Sequence, residues 1–240
     1  MFRRVFLAAV LAGAVAGLVM SLVQHYRVTP FIFAAEVFEN AAPAHDATSH
    51  DHGTTTVQAP TAVAEEEPAA WQPEDGFERT AYTVLANLVV GIGFGLALAG
   101  ASLLLGIPVT VGNGAVWGLC AFIAVSIAPA AGLPPELPGM AAAEITIRQV
   151  WWWFTVGCTA AGIGLIARTR NYGLWAVGAV IIALPHLIGA PDAPHEATNV
   201  PAHLATGFAA NALAAAAIFW TVLGITLGFV NERSNRDVTA

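Results

Sequence analysis

Six apolar runs, parted by short polar or proline-bearing stretches, leave this chain little choice of architecture. The first, VFLAAVLAGAVAGLVMSLVQ, covers residues 5–24, and others fall at about 81–105, 112–130, 150–167, 172–189 and 203–230. Crossing a bilayer as a helix takes about 20 apolar residues, and in lipid every backbone N–H and C=O must find its partner inside protein. The expectation is an all-α integral membrane protein, a bundle of about six transmembrane helices with a disordered external loop. Composition agrees: 57% of residues are hydrophobic and 10% charged, against about 25% charged in soluble domains.

The runs divide the chain into three parts. Residues 1–39 hold the first transmembrane helix and an interfacial segment, HYRVTPFIFAAEVFE, with Phe31, Phe33 and Phe38 expected towards lipid. Residues 40–79 read as a flexible, acidic and histidine-bearing external loop with no hydrophobic period. Residues 80–240 read as a five-helix bundle with a cytoplasmic C-terminus. Arg3 and Arg4 before the first run, and Ala14-Val15-Ala16 within it, also fit a cleavable signal peptide. The apolar run continues to Val23, so an uncleaved span is the reading adopted.

Charge orients the bundle. With the N-terminus inside, the cytoplasmic side holds Arg3, Arg4, Arg168, Arg170, Arg233 and Arg236, and the exterior only Arg27, Arg79 and Arg148. This agrees with the excess of arginine and lysine on cytoplasmic loops. All acidic residues but Glu232 and Asp237 fall outside, as do all seven histidines. Such a field draws cations from the exterior and offers little to hold them within.

Composition also excludes function classes. All nine basic residues are arginine, so no phosphate-binding loop lysine or Schiff-base lysine is available, and the energy of any pumping cycle must come from outside this chain. A net charge of -7 argues against nucleic-acid binding. No HExxH or similar helical ligand motif is present, which ranks an intramembrane metal enzyme low. Cys120 and Cys158 lie in apolar runs and read as packing residues. Gly91 to Gly95 and Gly114 to Gly118 have the GxxxG spacing that lets helix backbones approach in lipid, although general small-residue richness explains it equally well. Trp151 to Trp153 read as interfacial anchors.

Metal-ligand chemistry gathers in two places. His186, Asp192, His195, Glu196 and His203 lie between the last two runs, with Pro185 expected to loosen the preceding helix and Pro201 to open the next. An ionisable residue at span depth, such as His186, is usually functional. In the loop, His45, Asp46, His50, Asp51 and His52 offer imidazole and carboxylate, which suit divalent first-row metals; a solvated acidic tract is the bland alternative. His25, Asn87, Arg148, Gln149 and Asn211 share a depth near the outer surface and suggest a polar vestibule, or separately serve as interhelical hydrogen-bond glue.

Three stretches in order, MFRRVFLAAVLAG…HYRVTPFIFAAEVFE, LPPELPGMAAAEITIRQVWWWFT and ALPHLIGAPDAP…VPAHLATGFAANAL, resemble the CbtA family of proposed cobalt transporter subunits. The resemblance covers nearly the whole chain outside residues 40–76. It implies a multi-pass protein of the bacterial inner membrane, not an enzyme, that works with a small histidine-bearing membrane subunit, CbtB, in cobalt uptake linked to cobalamin synthesis. Cobalt(II) or a similar divalent metal would be cargo, with no cofactor held permanently. Pro185, His186, Arg148 and Gln149 match recurring family positions. Ala141, where the family carries proline, and His203 depart from the pattern. The rival reading is a non-transporting assembly or regulatory subunit of a metal transporter.

Overall fold

A computed structural model describes residues 2–41, 73–194 and 198–239. Seven helices run through them: α1 (Phe2–Arg27), α2 (Thr29–Ala41), α3 (Phe77–Leu105), α4 (Gly114–Ala130), α5 (Ile145–Arg168), α6 (Tyr172–Ile188) and α7 (Ala202–Thr239). No strand occurs among the described residues. The segments Arg3–Arg27, Phe77–Leu105, Ile145–Arg168 and Ala202–Ser234 are long and apolar enough to cross a membrane. The runs expected at 112–130 and 172–189 form the two shorter apolar helices, α4 and α6, each of 17 residues.

α1 packs on α3 and α7, α4 on α7, and α5 on α6. These pairs are antiparallel and closed by small residues. A Cβ added to Gly91 would meet the Gly13 carbonyl, one on Gly95 the Ala9 carbonyl, one on Gly114 the Gly224 carbonyl and one on Gly118 the Trp220 carbonyl. Both GxxxG spacings therefore mark real backbone contacts, in which dispersion and close approach replace the hydrophobic drive that lipid does not provide. Ala8, Ala9, Ala12 and Ala16 on α1 and Leu223 and Leu227 on α7 are buried along the seam.

The contacts also sort the helix ends. Arg4 of α1, Gly106 after α3, Thr110 before α4 and Asn231 of α7 line one cavity, and a Cβ on Gly106 would lie 3.8 Å from the Arg168 guanidinium. At that end the turn before α4 is tied down by Asn113, which accepts from Thr110 N–H (2.7 Å) and donates to the Pro108 carbonyl (3.0 Å). Glu232 accepts from Val111 N–H at 2.9 Å, fastening α7 to the same turn. The opposite end gathers α2, the α4–α5 connection and the start of α7.

Two expectations are corrected there. Phe31 and Phe38 do not face lipid: with Ile32 they pack around Ala35, Leu137 and Val200, a second small core that seats α2 on α7. Only Phe33 stays out, 44% exposed, with the Arg79 guanidinium 4.8 Å above its ring. Trp151 is not an interfacial anchor but a buried residue, against which a Cβ on Gly132 would collide. Trp153 is 68% exposed.

Candidate functional site

The two ends differ in charge. Arg3, Arg4, Arg168, Arg170 and Arg233 stand with Glu232 at one end. At the other stand Glu36, Glu74, Asp75, Glu78, Glu136, Glu144 and Asp192, with Arg27, Arg79 and Arg148, and with His25, His186 and His203. Every histidine among the described residues is thus at the acidic end.

α6 continues as helix through Pro185, which is fully buried, and stops at Ile188, where Gly189 takes a φ of +94° and donates its N–H to the Pro185 carbonyl at 3.0 Å. The proline therefore removes one N–H without opening the last turn. His186 is exposed beside it, its ring edge-on to Trp151 with centroids 6.1 Å apart. Asp192 lies exposed in the following connection. His203 is exposed at the second residue of α7, where the Pro201 carbonyl accepts from Leu204 N–H at 2.9 Å and starts the helix as the sequence implied. His195 and Glu196, and the loop residues His45, Asp46, His50, Asp51 and His52, lie outside the described residues. Among the described residues no three His, Cys, Asp or Glu side chains sit close enough to share an ion.

The polar residues of shared depth separate into different places. Asn87 of α3 donates to Gln24 (2.6 Å) and Ser21 (3.1 Å) of α1, and so binds two helices. His25 lines a cavity of about 470 Å³ beneath α2, together with Gln24 and Arg79. Asn211 donates within its own helix, to the Gly207 carbonyl at 2.8 Å. Arg148 and Gln149 line a separate cavity of about 510 Å³ between α4, α5 and α7.

This last cavity holds the residue that sequence reasoning missed. Glu136, from the proline-rich connection after α4, pairs with Arg148 at 2.5 Å, both side chains mostly buried. An acid between prolines, twelve residues before an arginine, was the available signal. On the far wall, Ile123–Ile127 forms a π-helical turn in which Ala128 N–H bonds the Ile123 carbonyl. Pro129 explains its position, since it has no N–H for the Val125 carbonyl four residues earlier. Glu144 caps α5, accepting from Thr146 N–H (2.9 Å) and Ile147 N–H (3.0 Å), which holds its carboxyl below the usual carboxylate range. Arg79 similarly ties α3 to Glu36 of α2 at 2.5 Å.

Neither the curated proteins nor the solved structures gave a match to the chain. Residues 2–232 match the protein family described as "Probable cobalt transporter subunit (CbtA)", a match that runs from the start of α1 through most of α7. On that match the chain belongs to the CbtA family of probable cobalt transporter subunits.

Proposed function

We propose that this chain admits cobalt(II), or a similar divalent ion, at its acidic end and passes it towards the arginine-rich end, which faces the cytoplasm. The observation that carries the reading is that, among the described residues, the histidines and all carboxylates but Glu232 gather at one end and most of the arginines at the other. A cation is attracted where it arrives and repelled where it leaves. In this reading α4 and α6 are two further crossings, giving six. Each measures about 26 Å by helical rise, against a hydrocarbon layer of about 30 Å. His186, with Asp192, His195, Glu196 and His203, makes first contact with the ion; His45, Asp46, His50, Asp51 and His52 gather it from solution. The chain works with a small, histidine-bearing CbtB-like subunit in the bacterial inner membrane, and the imported metal serves cobalamin synthesis.

Reconstitution tests this directly. Proteoliposomes containing the chain and a CbtB-like partner should accumulate cobalt in preference to nickel when the acidic end faces outward, and neither protein alone should match the pair. Accumulation independent of this chain would refute the reading.

A second reading is favoured by the hydrogen bonding of Asn87 to Ser21 and Gln24, which shows polar groups at span depth used to hold helices. On it the chain is an assembly subunit, and the partner alone conducts metal once assembled.

A further inference from the structure

The polar cavity around Arg148 does not end at the ion pair. Its walls Val125, Trp152 and Trp153 are also walls of a second, almost wholly apolar groove of about 320 Å³. That groove runs down between α3 and α5 over α4, past Cys120, Ala160 and Ile163, and is closed by Leu105 lying against Gly164. From Trp153 to Gly164 it covers about 16 Å along α5. A polar chamber at the outer end thus adjoins an apolar groove at span depth, with Val125, Trp152 and Trp153 common to both.

The chamber has spare hydrogen-bonding capacity of both signs. Guanidinium carries five N–H donors, yet among the described residues Arg148 makes a single hydrogen bond, to Glu136 Oε2, and its buried Nε–H has no partner there. Glu136 keeps its second carboxylate oxygen without a protein partner among the described residues. Gln149 and Ser126 stand on the same lining. A free cation is a poor occupant, because it would sit beside guanidinium. A free anion fares no better, because Glu136 cancels the charge. A neutral pair with unused donors on one member and an unused acceptor on the other is complementary to a zwitterion.

We infer that the cavity and groove together hold one amino-phospholipid: the phosphodiester takes the free donors of Arg148, the ammonium takes Glu136, and an acyl chain lies in the groove against Trp152 and Trp153. This assigns Arg148 and Gln149 to a lipid site rather than to the path of the ion, and it stands independently of which metal is carried.

The test is lipid retention by the full chain, purified in mild detergent and examined by native mass spectrometry. Phosphatidylethanolamine, phosphatidylglycerol and phosphatidylcholine are supplied in equal amounts, and quenching of tryptophan fluorescence by bromine-labelled acyl chains reports groove occupancy. One phosphatidylethanolamine should be retained on the order of tenfold better than either competitor, as loss of a charge-assisted hydrogen bond implies. Arg148→Gln and Glu136→Gln should each erase that preference. Ala160→Phe, which fills the groove and leaves the ion pair intact, should lower retention of all three lipids and abolish quenching. If Arg148→Gln fails to fold, the other two variants carry the test. Equal retention of the three lipids by the unaltered chain would overturn the assignment. So would an unchanged preference in the charge variants, or full displacement by tail-less glycerophosphoethanolamine.

Discussion

The seam between α1, α3, α4 and α7 and the seam between α4 and α5 are both apolar, but they are built in opposite ways. In the first, glycine and alanine bring backbone against backbone, so that an added Cβ at Gly91, Gly95, Gly114 or Gly118 has no room. In the second, tryptophans, prolines and a π-helical turn hold the helices apart and leave two cavities. Close backbone contact fixes helix register and confines cavities to the ends of the seam, one lined by Arg4 and Asn231 and another by Gln24 and His25. Bulky side chains leave volume, and polar chemistry can be placed in it. The Arg148–Glu136 pair sits in the second seam, while Asn87 in the first is used to join helices.

The largest effect should come from forcing bulk into the close-packed seam. Gly118→Leu places a side chain against the Trp220 backbone and should cost about 3 kcal/mol or more, read as lost folded protein or a fall in Tm in detergent. Gly93 lies on the same helix as Gly91 with open space around its Cβ position, so Gly93→Ala should be neutral or slightly stabilising. Equal effects of the two would erase the distinction between the seams.

Smaller effects should follow at the polar contacts. Glu136→Ala strands a mostly buried guanidinium and should cost about 2 kcal/mol by thermal unfolding. Asn87→Ala removes the α1–α3 hydrogen bonds and should cost about 1 kcal/mol, in keeping with interhelical polar contacts in lipid. The least should come from Glu144, fully exposed at the cap of α5. Its carboxyl is held below the usual range in the folded chain, so its stabilisation is full above the unfolded value and is lost as pH falls through the folded one. Glu144→Gln should lower Tm slightly at pH 7 and leave the variant less sensitive to acid than the unaltered chain; matching Tm profiles would contradict this.

The contrast between seams also explains what the sequence made legible. Apolar length revealed the long helices, and glycine spacing revealed contacts, because both depend on local pattern. The seating of α2 was hidden. Lipid-facing and protein-facing side chains are equally apolar in a membrane protein, so Phe31, Phe38 and Trp151 carried no mark of burial. The Glu136–Arg148 pair was hidden for another reason: a connection folded back on a helix has no periodic signature. Among the described residues the expected imbalance of charge between the ends is present, since it depends only on which connections share an end. Of the five residues grouped by depth, only Arg148 and Gln149 came to line one cavity, because depth along a span says nothing of direction around it.

The central claim is that cobalt is admitted at the acidic, histidine-bearing end through His186. Cobalt accumulation in cells producing the chain and its partner tests it most directly, with His186→Ala and a deletion of residues 43–54 compared at matched protein levels. His186→Ala should abolish accumulation, and the deletion should only raise the external cobalt concentration required. Normal accumulation by the His186→Ala variant would contradict the claim.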